Sequence, residues 1–146
     1  MNNVIEQLPD TPRVLARCRD LLRSGGRLVV VTPNISSQCH DIFGACWRGL
    51  EVPRHLHLFT AASLRGIAKA AAFSSIQDFS PPNGAQVDTM IEASSEIAER
   101  SGGRALTGAT TACSTTSQRL AFDLYRCQIP TEQITVELMR IKKHTW

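Results

Sequence analysis

Long apolar runs are missing from this chain of 146 residues, and no window approaches the ~18 consecutive apolar residues a membrane-spanning helix needs. A secretory leader is not expected either. The opening Met1-Asn2-Asn3-Val4-Ile5-Glu6 has neither a basic start nor an apolar stretch behind it. Repeats and low-complexity segments are absent, so a solenoid or a tail-like chain is not expected. The five cysteines (18, 39, 46, 113 and 127) are odd in number and contain no CxxC spacing. That pattern excludes a disulfide framework and reads as reduced thiols in a cytoplasmic protein. Strong charge of one sign is also lacking: 16 Lys and Arg against 13 Asp and Glu leave +3. Residues 1–73 carry nine basic and five acidic residues, and residues 74–146 seven and eight. So mild an asymmetry falls short of a nucleic-acid footprint, and no nucleic-acid or membrane partner is expected.

What is present is an ordinary globular composition, 42% hydrophobic and 20% charged. A chain of this size builds one good core, so residues 1–146 are expected to form a single domain. Asp10 or Thr11 caps a helix over 12–23, with Pro12 in its first turn and Val14, Leu15, Cys18, Leu21 and Leu22 at helical spacing. Gly25-Gly26 stops it. Leu28-Val29-Val30-Val31 is apolar at successive positions, which predicts a strand near 28–32 buried on both faces and paired in parallel. Residues 35–59 look irregular. Thr60 caps a helix over 61–72, and Ser75–Phe79 reads as a short strand. Two further helices are predicted over 86–100 and 115–128, the latter from Leu120, Ala121, Leu124 and Tyr125. They fall in a helical insertion at 84–130, before a last strand at 133–141 where Ile134, Val136 and Leu138 alternate with Thr135 and Glu137.

The most specific stretch lies in the first half. Val4-Ile5-Glu6-Gln7-Leu8-Pro9-Asp10, followed after the helix by Leu22-Arg23-Ser24-Gly25-Gly26-Arg27-Leu28-Val29-Val30-Val31-Thr32-Pro33-Asn34, resembles the second half of class I S-adenosylmethionine-dependent methyltransferases. The branch it is similar to is the small-molecule O-methyltransferase-like one, whose later segment is matched by Trp47-Arg48-Gly49-Leu50-Glu51-Val52-Pro53-Arg54-His55-Leu56-His57-Leu58-Phe59-Thr60. The resemblance covers about residues 3–73 and returns only at 133–143. It implies an α/β fold with a partial Rossmann-like sheet: strands near 28–32, 75–79 and 133–141, residues 3–6 as a short edge strand, and about four helices. The last strand would run antiparallel between the other two.

The resemblance also implies what this stretch lacks. In the family a Gly-rich turn after the first strand and an acid ending the second grip the cofactor. Neither motif stands in this sequence, whose Gly pairs at 25–26 and 102–103 follow no first strand. The expectation is therefore a truncated, substrate-side half of the fold, not catalytic alone and binding no cofactor alone. The alternative is a component that another chain completes into a small-molecule methyltransferase using S-adenosylmethionine. Glu6 and Gln7 stand where the family meets the cofactor, and they read as a remnant of that contact; the family's usual His is replaced by Gln7, which cannot shuttle a proton near neutral pH. Trp47, Arg54, His55 and His57 fall where the family forms its substrate pocket for a small molecule. His55 and His57 are the candidate catalytic bases, and two residues apart in an extended segment they point the same way. Leu56, Leu58 and Phe59 would then pack. Trp47 also suits a core position under the loop. His55 and His57 with Cys39, His40 or Cys46 offer nitrogen and sulfur, but no second pair has zinc-site spacing, so no metal is expected. Removing the missing strands would bare the edge of 28–32, from which a homo-oligomer, most simply a homodimer, is expected.

Overall fold

The computed structural model describes residues 1–79, 84–101 and 133–140. They form an α/β structure in two compact units. Among the described residues, one contains 1–34, 52–79 and 133–140, and the other 35–51 and 84–101.

The first unit holds the sheet. Its helix α1 (Thr11–Leu21) starts where Asp10 accepts a hydrogen bond from the Arg13 amide, with Pro12 in the first turn. Leu15 faces the core, whereas Leu21 ends the helix exposed. Strand β1 (Arg27–Pro33) follows the Gly25-Gly26 turn. Gly25 has φ +76°, which favours glycine, and a Cβ at Gly26 would meet the Arg23 carbonyl oxygen at 2.8 Å. Helix α3 (Ala61–Ala70) opens on a capping box between Thr60 and Ser63. Strands β2 (Ser75–Phe79) and β3 (Gln133–Met139) complete a sheet of order β1-β3-β2, with β3 antiparallel to both neighbours. The central position expected for the last strand is thus the one observed. Val30, Val136, Leu138, Leu15, Leu64 and Ala68 form the core of this unit.

Three expectations are corrected here. β1 is not buried on both faces: Val30 and Thr32 point inward and Val29 is 46% exposed, the alternation of a half-buried strand. Its long partner is antiparallel; the parallel pairing is confined to the single bridge between Asn2 and Val31. Residues 3–6 are not a strand. Pairing stops at Asn3, whose φ of +49° turns the backbone, and Ile5–Gln7 form a 3-10 turn that drives Ile5 into the core. Through Met1 and Asn3 this short segment covers the β1 edge at Val29 and Val31.

In the second unit, residues 35–51, expected to be irregular, have local structure. Ser37 caps α2 (Gln38–Phe43) by accepting from the His40 amide, and 3-10 turns follow at Gly44–Cys46 and Arg48–Leu50. Helix α4 spans Gly84–Arg100, close to the predicted 86–100. Cys39, Phe43, Cys46, Trp47 and Ile91 are the buried cluster of this unit. Gly49 lies so near the indole of Trp47 that a Cβ there would clash with the ring. The helix predicted over 115–128 lies outside the described residues.

Candidate functional site

The polar centre of the first unit grows from the 3-10 turn at Ile5–Gln7. The turn that buries Ile5 also buries Glu6, which is only 1% exposed. A carboxylate taken out of water needs donors. One comes from β1: Thr32 stands two residues after Val30 and shares its inward face. Thr32 Oγ1 donates to Glu6 Oε2 at 2.8 Å. The other oxygen, Oε1, accepts no hydrogen bond among the described residues. It faces His55 Nε2 at 3.7 Å, beyond hydrogen-bond range.

The main chain of Glu6 is also engaged. Its carbonyl accepts from the Leu56 amide at 2.8 Å and the His57 amide at 3.0 Å. This double contact decides which face of the extended segment 55–59 turns inward. The His55 side chain is buried, His57 half-buried and Phe59 buried. Leu56 and Leu58 point out, 55% and 42% exposed. The expectation that the leucines pack is therefore overturned: the segment is amphipathic with its polar rings inside. At its far end Phe59 makes a parallel bridge to Asn34, just past β1. His57 Nε2 is buried and without a hydrogen-bond partner among the described residues. Leaving a buried polar atom unpaired costs about 1–3 kcal/mol, so Glu6 Oε1 and His57 Nε2 are local weak points that a hydrogen-bonding ligand would relieve.

The structure thus brings Glu6, His55 and His57 together and adds Thr32, which the sequence reading did not single out. The only local signal for Thr32 is a hydroxyl residue at an inward position after a β-branched run. Gln7 turns back on its own chain, donating from Nε2 to the Asn3 carbonyl at 3.1 Å. Arg54 is exposed. Trp47 lies in the second unit, 1% exposed, with its indole edge-on to His40 at a centroid distance of 5.2 Å. Among the described residues no three His, Cys, Asp or Glu side chains gather closely enough to hold a metal ion. No helix among them is long and apolar enough to cross a membrane.

The family model for a methyltransferase domain matches residues 1–78, more than half of the 146-residue chain. No curated protein sequence matches it. Among solved structures, the chain matches phosphoethanolamine N-methyltransferase 2 of Haemonchus contortus in complex with S-adenosyl-L-methionine. The match has 14% identity and a TM-score of 0.48, and covers 97% of this chain and 32% of that one. The same enzyme with phosphomonomethylethanolamine and S-adenosylhomocysteine matches at 13% identity and TM-score 0.47, with the same coverage of 97% and 32%. The chain therefore spans 32% of the length of these structures.

Proposed function

Because the chain belongs to the methyltransferase domain family, we propose that these 146 residues are the acceptor-side half of an S-adenosylmethionine-dependent methyltransferase fold and transfer no methyl group by themselves. The observation that carries this reading is the cluster of Glu6, Thr32, His55 and His57, which lies within the family-matched residues. A carboxylate and two imidazoles suit a small hydroxylated or amine acceptor, because they offer hydrogen-bonding and proton-accepting atoms at one place.

The described residues do not fit the cofactor. A turn that grips this cofactor needs backbone N–H groups open to the ligand. The Gly25-Gly26 turn is committed elsewhere: the Gly25 amide donates to the Arg140 carbonyl at 2.9 Å, and the Arg140 amide to the Gly26 carbonyl at 3.1 Å. Glu6 spends one carboxylate oxygen on Thr32 and its carbonyl on the Leu56 and His57 amides. Gln7 spends its side chain on Asn3.

Calorimetric titration of the chain with S-adenosylmethionine and with S-adenosylhomocysteine tests the reading. The expected result is no binding tighter than a Kd of about 10 μM, equivalent to about 7 kcal/mol. Tighter binding by the chain alone overturns it. The second reading, a component completed by another chain, shares the acceptor site. Methyl transfer appearing only on mixing with a partner that carries a Gly-rich turn would favour it.

A further inference from the structure

The geometry assigns different tasks to the two inward histidines: Glu6 positions His55, and His57 Nε2 is the nitrogen that binds the hydroxyl or amine group of a small acceptor. This rests on the acceptor-side reading of the site. The two rings share a face of one segment, yet their surroundings differ. The Glu6 carboxylate cannot turn away from His55, because Thr32 holds Oε2 at 2.8 Å. That leaves Oε1 directed at His55 Nε2, 3.7 Å away, with the two side chains 1% and 5% exposed. A shift of less than ~1 Å brings that pair into hydrogen-bond range. His55 Nε2 is therefore oriented by a carboxylate, as a supporting ring is.

His57 is fixed without using its ring nitrogens on Glu6. Its amide donates to the Glu6 carbonyl at 3.0 Å, and its ring lies 6.0 Å from that of Phe59 at 39°. Its Nε2 is buried and has no hydrogen-bond partner among the described residues. A buried imidazole nitrogen calls for a partner, and an acceptor's O–H or N–H supplies one.

The test is NMR of the imidazole resonances in the full chain, titrated with phenol as the hydroxyl probe and ethylamine as the amine probe. Both probes are expected to produce a saturable shift at His57 larger than that at His55. Thr32→Val and Glu6→Gln are expected to move the His55 resonances more than the His57 resonances with no probe present. A response carried by His55, or no saturable response at His57, overturns the assignment. So does either variant moving the His57 resonances more than those of His55 while its amide spectrum stays folded. Should Glu6→Gln fail to fold, Thr32→Val and the wild type decide the matter. None of these readouts uses S-adenosylmethionine. A completed enzyme that transfers methyl groups with His57 silent would sink this assignment alone. A chain that binds the probes at His57 and also binds S-adenosylmethionine more tightly than about 10 μM would sink the acceptor-side reading alone.

Discussion

The two units solve burial differently. In the sheet unit, Val30, Val136 and Leu138 are each backed by a ladder in which β3 is paired on both sides, so these core side chains ride on a hydrogen-bonded frame. Even its buried carboxylate is tied to that frame through Thr32. The described part of the second unit packs α4 and shorter helical pieces into one cluster, in which Trp47 is the largest fully buried side chain. Its indole Nε1 has no hydrogen-bond partner among the described residues. The contrast predicts that the sheet unit spreads its stability over many contacts, whereas the described cluster around Trp47 leans on one large ring.

The sharpest way to break this comparison is Val30→Asp. Val30 is fully buried opposite Val136, and a carboxylate there has no partner to offset its desolvation. The expected outcome is a sheet unit that does not fold, read as lost β-sheet circular dichroism and lost amide protection at Val29, Val30 and Val31. Protected amides at those positions would show that the sheet tolerates the charge. Trp47→Ala comes next, at about 3–5 kcal/mol by the usual cost of deleting a buried aromatic ring. Hydrogen exchange should quicken across α2 while Val30 stays slow. Equal loss of protection in both units would mean that the ring supports more than its own cluster.

The same contrast explains what was legible beforehand. Helices α1 and α3 could be read because their signals are local: Asp10 and Thr60 cap within three residues, and the apolar stripes follow. The position of β3 between its neighbours came with the family resemblance rather than from alternation. Residues 35–51 could not be read, because pieces of three to six residues are too short to show a period. In the candidate site, the spacing of His55 and His57 announced a shared side. Which side faced inward was set by the Glu6 carbonyl, some fifty residues earlier, and no local pattern holds that information. The Thr32–Glu6 bond spans 26 residues and was invisible for the same reason. The doubly buried reading of β1 failed because apolar residues at successive positions do not reveal exposure. Val29 remains half in solvent although it is as apolar as Val30.

Arg140→Ala sharpens the claim that the sheet unit is distributed. The guanidinium Nη1 donates to the carbonyls of Arg19, Asp20 and Leu22 at 3.1, 2.9 and 2.6 Å, capping the end of α1 from the end of β3. Those carbonyls are partly open to solvent, and water replaces some of what is lost. A destabilisation of about 1–2 kcal/mol is expected, with fraying at the α1 C-terminus and an intact sheet. A chemical denaturation midpoint with an unchanged m-value checks it. A loss as large as that of Trp47→Ala would show that the sheet unit also hangs on a single residue.

The smallest effect belongs to Ala72→Gly, and its sign is opposite. Helix α3 ends in a Schellman arrangement: the Phe73 amide donates to the Ala68 carbonyl at 3.2 Å and the Ala72 amide to the Lys69 carbonyl at 2.8 Å. That closure needs a left-handed residue, and Ala72 supplies it at φ +59°. Left-handed backbone costs a residue with a Cβ about 1–2 kcal/mol, a cost glycine does not carry. Glycine in turn loses more backbone freedom on folding, which takes back about 0.5–1 kcal/mol. The terms leave a gain of about 0.5–1 kcal/mol, visible as a small rise in Tm. The replacement should not disturb packing, since Ala72 is exposed while its neighbours Ala71 and Phe73 are the buried ones. A fall in Tm would mean that the Ala72 methyl group, or the stiffness it gives the unfolded chain, matters more than the strain. The end of α3 would then depend on the Phe73–Ala68 contact in the core rather than on backbone conformation.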